Sequence, residues 1–267
     1  MRIGKDIMIS RRTLWRLKWW VIGKAQTLKP LVRRIREIIR GIPKLPGFLA
    51  HTLSIHFLHR EQYKAYSRLQ FDKEAAAYDE GESFSMVRED YPDILRELKK
   101  EPFGSLLDCG CGTGAVLALL HKRFPDRSCT GIDLSEQMIE VARKTLPADV
   151  KLLVGDCENL PFPENSFDVV LCSHSFHHYP HPQRFFDSAH RVLKPGGRLI
   201  LRDNTGALPY LLYNNLWMIP YINWKHRSGD VKFYSLGEVR QFLKKAGFDI
   251  IRLEERPVHK LHAAARK

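Results

Sequence analysis

The sequence lacks any run of about 20 consecutive apolar residues, the length that a helix needs in order to cross a membrane. In the first part of the chain, the charge-free run 45–59 is interrupted by proline, glycine and histidine. A secretory signal is also missing, because Lys18 and Lys24 bracket the short apolar segment 19–22. We therefore expect a cytoplasmic protein without a membrane-spanning helix.

Cysteine is scarce, and its distribution argues against a disulfide framework. The count is odd, and no secretory signal accompanies it. Cys109 and Cys111 are separated by a single residue, and no pair of His or Cys ligands follows them at zinc-site spacing. We expect neither disulfides nor a bound metal. The five cysteines are Cys109, Cys111, Cys129, Cys157 and Cys172.

Acidic residues are nearly absent from residues 1–60, which contain fourteen Lys or Arg and two acids. The net charge of +13 is concentrated there, because residues 61–267 carry 29 basic and 28 acidic residues. This asymmetry predicts two regions, a basic extension over 1–60 and a near-neutral globular domain over 61–267.

The basic extension has the periodicity of an amphipathic helix. Seven apolar residues between 28 and 42 recur at helical spacing, and basic residues occupy the other faces. Tryptophans among basic residues just before them suit the headgroup region of an anionic membrane. Three interpretations stay open: the stripe packs on the domain, residues 14–42 attach peripherally to an anionic membrane, or the extension binds nucleic acid or is an organelle transit peptide. A shortage of serine disfavours the transit peptide.

From residue 105 onward, short apolar runs alternate with helical patterns, as in a parallel sheet covered by helices. Strands are predicted at 105–108, 128–133, 150–154, 167–172, 198–202, 249–254 and 258–264. Helices are predicted at 115–124, 135–146, 183–192 and 236–246, with a turn at 194–197. The predicted fold class is α/β, a mostly parallel seven-stranded sheet with a C-terminal antiparallel hairpin and helices on both faces.

A glycine-rich segment, 106–114, connects the first strand to the first helix. Its glycines allow a sharp turn and a close approach to a ligand, beside the free amides and positive dipole end of the helix. Asp133 ends the second strand, where a carboxylate can accept ribose hydroxyls, and Asp156 follows the third strand. Ligands of parallel sheets bind at the carboxyl ends of strands, so this order predicts a nucleoside site. The three glycines are Gly110, Gly112 and Gly114.

Four motifs occur in order: D-C-G-C-G-T-G at 108–114, G-I-D-L-S at 131–135, G-D-C-E-N-L-P-F at 155–162 and R-V-L-K-P-G-G at 191–197. Together they resemble the class I S-adenosylmethionine-dependent methyltransferases, and most of all the branch with the ubiquinone and menaquinone biosynthesis methyltransferases. The resemblance is strong over 105–205 and loose over 70–267. It implies a Rossmann-like fold and S-adenosylmethionine as methyl donor, but it is weakly specific for the acceptor.

The resemblance also implies a role for each matching residue. The three glycines, with Asp108 at the start of their motif, would surround the methionine part of the donor. Asp133 would hold the ribose, and Leu134 and Met138 would lie against the adenine.

Three further residues are implied to contact the donor. Asp156 and the backbone of Cys157, where the family more often has alanine, would bind the adenine edge. Ser173 would line the carboxyl or sulfonium side. Upstream, 71–79 resembles the family segment F-D-x-x-A-x-x-Y-D with one extra residue, which leaves open whether Phe71 or Tyr78 covers the donor.

The reacting methyl group of the donor sits on a sulfonium, so the enzyme mainly has to align the acceptor and exclude water. A general base is needed only where the acceptor must lose a proton. His174 and His178, after the fourth strand, are the candidate catalytic residues, because histidine titrates near neutrality. Alternatively, they pack and hydrogen-bond at a helix start. The sequence positions no acidic or Cys partner with them, so zinc is not expected there.

Residues 207–224 contain no charge and many large apolar side chains. This composition predicts an apolar wall for a small-molecule acceptor, or a lid packed on the core. We predict methyl transfer to O, N or C of a small lipophilic acceptor. The alternative is an RNA or DNA methyltransferase that uses the basic extension to bind nucleic acid. A non-catalytic scaffold is disfavoured by the intact cofactor acids.

Overall fold

The computed structural model describes residues 47, 60–81, 85 and 87–267. Almost all of the basic extension lies outside these residues. Its amphipathic helix, its membrane contact through 14–42 and the boundary at residue 60 therefore stay predictions. Within the described part, no helix is long and apolar enough to cross a membrane.

The described residues form a seven-stranded sheet with helices around it. The strands are β1 (Ser105–Cys109), β2 (Ser128–Asp133), β3 (Lys151–Val154), β4 (Phe167–Ser173), β5 (Leu193–Asn204), β6 (Asp249–Arg256) and β7 (Lys260–Arg266). The helices are α1 (Glu61–Glu74), α2 (Tyr91–Leu98), α3 (Ala115–Arg123), α4 (Glu136–Thr145), α5 (Pro182–Val192), α6 (Leu208–Tyr213), α7 (Ile219–His226) and α8 (Leu236–Lys245). Short 3₁₀ turns span Ala75–Glu80, Cys157–Asn159 and Phe176–His178, and a π-helical turn, Asn214–Met218, joins α6 to α7.

The strands follow the order β3-β2-β1-β4-β5-β7-β6. Strands β1 to β5 pair in parallel, whereas β7 lies antiparallel between β5 and β6. Cys109 at the end of β1 lies opposite Ile132 of β2 and Cys172 of β4. The carboxyl ends of three central strands therefore meet at one edge. The predicted α/β sheet with its C-terminal antiparallel hairpin is confirmed.

Adjacent residues of the central strands face two different hydrophobic layers, because side chains alternate along a strand. Leu107 of β1 belongs to the layer that contains Phe185 of α5 and Leu243 of α8. Leu106 belongs to the opposite layer, with Leu117 of α3. All five side chains are fully buried, so the sheet is covered on both faces, as predicted.

The predicted turn at 194–197 is wrong in detail, because β5 already begins at Leu193. Leu193 pairs with Phe167 of β4, and the register shifts before the pair of Val169 and Arg198. The amide of Gly196 donates to the carbonyl of Lys267, and the amide of Lys267 donates to the carbonyl of Gly197. The turn residues are drawn into strand pairing by the far end of the chain, which local turn propensity does not encode.

Gly114 and Gly196 form a matched pair for testing how the glycine loop packs. Both have positive φ, +81° and +78°. A Cβ at Gly114 would lie 2.5 Å from Cδ1 of Leu146 and 3.2 Å from Cβ of Ala142, whereas one at Gly196 would meet open space. We expect Gly196→Ala to lower the free energy of unfolding by about 1–2 kcal/mol. Gly114→Ala should lower it by roughly 1–3 kcal/mol more, because of overpacking.

Urea denaturation of the two variants and the wild type measures both differences. Equal losses for Gly114→Ala and Gly196→Ala would contradict the close packing of the loop against the segment from α4 to Leu146.

Candidate active site

Two adjoining cavities open at the carboxyl ends of the central strands. They hold about 590 and 490 Å³ of space, including the open solvent at their mouths. We call them together the cleft. Five residues line both cavities and mark the wall between them: Phe71, Gly110, Asp133, Ser175 and His178.

The glycine loop after β1 forms the floor of the cleft. Gly110 has a φ of +72°, and a Cβ there would lie 2.3 Å from the Ser175 hydroxyl oxygen. Gly112, at φ +53°, has open space where its Cβ would be, so its backbone stays accessible. In the described structure, Gly114 lines neither cavity. A Cβ at Gly114 would instead lie against the side chains of Ala142 and Leu146. The structure thus gives two glycines access to a ligand and the third a packing role.

Asp133 and Asp108 place two carboxyl groups at the base of the first cavity. Asp133 accepts hydrogen bonds from the amides of Gly112 at 2.8 Å and Ser135 at 2.9 Å. Burial nevertheless raises the pKa of Asp133. Burial and the nearby charge of Asp133 raise the pKa of Asp108 to about 7. Asp108 can therefore both donate and accept a hydrogen bond near neutral pH.

Two other predicted donor contacts line the first cavity. Met138 of α4 and Ser173 at the end of β4 both face it. The buried hydroxyl oxygen of Ser173 has no hydrogen-bond partner among the described residues. Because buried polar atoms normally have partners, this hydroxyl marks a position where a polar ligand group fits.

The second cavity is lined by Leu134, Asp156 and Cys157, three residues for which the resemblance implies contacts with the adenine. Lys64 of α1 lies 2.8 Å from Asp156 and 2.6 Å from Glu158. Burial alone would lower the pKa of Lys64, but its hydrogen bonds to these two carboxylates raise it. One oxygen of Asp156 also accepts from the amide of Glu158. Sequence reasoning missed Lys64, since nothing in α1 indicates its partner 92 residues away.

The segment 71–79 lies against the cleft. Asp72 accepts a hydrogen bond of 2.6 Å from the Ser135 hydroxyl, and Asp79 accepts one of 2.7 Å from Thr113. These bonds anchor the residues next to Phe71 and Tyr78, one of which the resemblance implies as a cover for the donor. Phe71 and Tyr78 both line the first cavity, with ring centroids 5.9 Å apart.

His174 and Asp90 form a buried pair on the wall of the first cavity. Nε2 of His174 lies 2.6 Å from a carboxylate oxygen of Asp90, and the two side chains are 9% and 8% exposed. Burial alone would raise the pKa of Asp90, but the hydrogen bond from His174 and the nearby cations Lys260 and Arg202 lower it. A histidine oriented by a carboxylate is the usual arrangement of a general base. Sequence reasoning proposed His174 and missed Asp90.

His177 and His178 also lie beside carboxylates. Nδ1 of His177 is 2.7 Å from Asp203, and Asp230 lies 3.5 Å from both imidazoles. Burial would lower the pKa of His177, but Asp203 and then Asp230 raise it to about 9. Burial and the charge of His177 lower the pKa of His178 to about 4. The expectation that no acidic partner accompanies these histidines is wrong, because the carboxylates come from distant segments.

The uncharged segment 207–224 lies mainly on the surface. It forms α6, the π-helical turn and most of α7, and the described lining of the cleft includes none of its residues. Seven of its large apolar side chains are 41–67% exposed, whereas Leu211 and Ile219 are buried. The seven exposed side chains are Leu208, Leu212, Tyr213, Leu216, Trp217, Tyr221 and Trp224, which we call the apolar ridge.

Comparisons with known proteins find methyltransferases similar to this chain. A family model described as a methyltransferase domain matches residues 107–201. The chain is 30% identical over 176 residues to a demethylmenaquinone methyltransferase of Thermotoga maritima, covering 59% of this chain and 74% of that protein. It is 41% identical over 100 residues to phthiotriol/phenolphthiotriol dimycocerosates methyltransferase 1 of Mycobacterium ulcerans, covering 37% of this chain and 36% of that one.

Solved structures share the fold. An S-adenosylmethionine-dependent methyltransferase from Mesorhizobium loti superposes with a TM-score of 0.56 at 23% identity. The match covers 67% of this chain and 97% of that one.

Proposed function

Because the chain belongs to the class I S-adenosylmethionine-dependent methyltransferases, we propose that the cleft binds this donor and that the protein methylates a small lipophilic acceptor. The observation that carries the proposal is the lining of the first cavity. It brings Asp133, the carboxylate proposed to hold the ribose, into one cavity with a carboxylate-oriented histidine, His174.

The donor fits the residues that line the cleft. Gly110 and Gly112 offer a close backbone surface to its methionine part, and the hydroxyl of Ser173 is free to bond a polar group there. Asp108, near its pKa of about 7, can accept from an amino group. Asp133 would accept from the ribose hydroxyls with the lone pairs that its two backbone donors leave available.

The second cavity fits the adenine base. Leu134 supplies an apolar contact, and Met138 does so from the first cavity. Asp156 and the backbone of Cys157 are placed to bond the polar edge of the base. Lys64 lies 2.8 Å from Asp156 and orients its carboxylate, which can accept hydrogen bonds from the base.

When bound, S-adenosylmethionine supplies an electrophilic methyl group on its sulfonium. The chain's own contribution is then to align an acceptor, exclude water and hold its proton. Asp90 orients the imidazole of His174, which would take a proton from an acceptor hydroxyl or acidic carbon. The aromatic side chains of Phe71, Tyr78 and Tyr91 line this part of the cleft and would shield a bound acceptor from water.

A lipophilic acceptor is favoured by these aromatic walls and by the named substrates of the two curated relatives. The apolar ridge supports delivery from a lipid surface. Residues 204–229 contain no acidic residue, and Lys225, His226 and Arg227 are exposed at the end of α7. Tyrosine and tryptophan beside basic residues suit an anionic membrane surface. Methylation of nucleic acid, by contrast, is supported only by the basic extension.

Donor binding is tested by Asp133→Asn. The substitution places an amide donor against a backbone donor and removes the charge that would bond the ribose. We expect it to weaken binding of S-adenosylmethionine at least tenfold by isothermal titration calorimetry, since hydrogen bonds to charged groups contribute roughly 1.5–3 kcal/mol. The matched control is Asp149→Asn, a carboxylate 66% exposed, which should bind like the wild type. Equal affinities of the two variants would contradict the assignment of Asp133.

The reaction is tested by supplying radiolabelled donor with a lipid extract or with RNA from the same cells. We expect label in a lipid product, identified by its mass, and none in RNA. His174→Ala should lower the initial rate by about 10²- to 10⁴-fold, the usual contribution of a general base, and Asp90→Asn by less. His121→Ala, outside the cleft, is the control. Label in RNA alone would favour the nucleic-acid alternative, and unchanged rates in both variants would remove His174 as the base.

The apolar ridge is tested by sedimentation with phosphatidylglycerol vesicles. We expect the double variant Leu208→Ser/Leu216→Ser to bind at least tenfold more weakly than wild type, because burying one such side chain contributes about 1.5–3 kcal/mol. Leu69→Ser/Ile251→Ser removes apolar residues of similar exposure, 58% and 48%, and should bind normally. The same loss in both double variants would show that the ridge has no special role.

A further inference from the structure

Three side chains with metal-binding atoms converge beside the cleft. His177 and His178 lie in the 3₁₀ turn after β4, and Asp230 lies in the loop after α7. One ligand atom from each lies within 4.8 Å of the other two. The sequence gives no sign of this cluster, since 52 residues separate His178 from Asp230.

The distances fit ligands that share an ion better than they fit hydrogen bonds. Oδ1 of Asp230 lies 3.5 Å from Nε2 of His177 and 3.5 Å from Nδ1 of His178. Good N–H to O hydrogen bonds have donor–acceptor distances of about 2.7–3.2 Å. Ligands at about 2.0–2.1 Å from a tetrahedral zinc ion are about 3.3 Å apart.

One of the three ligand atoms lacks a hydrogen-bond partner in the described structure. Nδ1 of His178 has no hydrogen-bond partner among the residues described, and its side chain is 10% exposed. A buried polar atom of this kind normally has a partner. A metal ion placed between His178 and Asp230 would satisfy it.

The surroundings orient the other two ligands. Nδ1 of His177 pairs with Asp203, which is 1% exposed, and this directs Nε2 of His177 towards Asp230. A carboxylate behind a histidine ligand is a recurring feature of zinc sites. The Ser228 hydroxyl donates to Oδ2 of Asp230 at 2.8 Å, which leaves Oδ1 for an ion.

The two segments that carry the ligands are fixed to each other. The amide of Val231 donates to the carbonyl of His177 at 2.8 Å. Asn223 accepts from the amide of Gly229 at 2.8 Å and donates to the carbonyl of Asp230. The ligands therefore stand on a backbone that needs little ordering when an ion binds.

We propose that His177, His178 and Asp230 bind a divalent transition metal ion, with zinc the best match to two imidazoles and one carboxylate. The ion joins the turn after β4, where His178 lines the cleft, to the loop after α7. This site goes beyond donor binding and acceptor choice, and it can be tested without either.

The experiment titrates chelator-treated full-length protein with zinc by calorimetry, and with cobalt by visible absorption. We expect one ion per chain and the d–d bands of a four-coordinate cobalt site. Asp230→Asn and His178→Ala should weaken binding at least tenfold, and Asp203→Asn about 10- to 100-fold, the usual effect of a partner behind a ligand. Asp230→Cys keeps a ligand atom and should retain zinc.

Asp149→Asn is the matched control, and circular dichroism verifies folding of each variant. Failure to bind one ion per chain, or equal affinity in Asp230→Asn and wild type, would overturn the proposal. Donor affinity is measured separately, so a failure of the proposed methyl transfer does not affect this outcome.

Discussion

The hydrogen bonds that Asp133 accepts from the amides of Gly112 and Ser135 hold the cleft together. They join the loop after β1 to the turn after β2, at the edge where the central strands end. A buried carboxylate is costly unless such donors compensate it. The donors also fix which backbone atoms of the glycine loop face the cleft. The charge of Asp133 also affects a second carboxyl group, because it helps to raise the pKa of Asp108.

The sheet was predictable, and a donor side of the cleft could be proposed, because their signals are local. Strand periodicity, the glycine loop and the acids at strand ends all lie within a few residues of the groups they affect. Ser135 at the start of α4 illustrates this, since its hydroxyl accepts from the Met138 amide, as expected of a helix cap. The turn at 194–197 failed for the opposite reason. Its hydrogen-bond partner, Lys267, lies 70 residues away.

The carboxylate partners of the histidines were also missed because they lie far away in the sequence. Asp90 pairs with His174 across 84 residues, and Asp203 pairs with His177 across 26. No spacing rule connects such residues, because a sheet edge collects loops from the whole chain. The sequence therefore identified the histidines but not the carboxylates that orient them. The proposed catalytic role of His174 depends on such a carboxylate, Asp90.

The two sides of the cleft have different origins, and this explains why donor and acceptor differ in how well they can be inferred. The donor side comes from β1 to β4 and their turns, within the span 107–201 that the family model matches. The aromatic wall comes from Phe71, Tyr78 and Tyr91, and the apolar ridge from α6 to α7, all outside that span. Methyl transfer from a sulfonium needs the donor geometry to be constant, while acceptors vary in shape. Acceptor selection in this protein is therefore expected to depend on segments outside the span 107–201 that the family model matches.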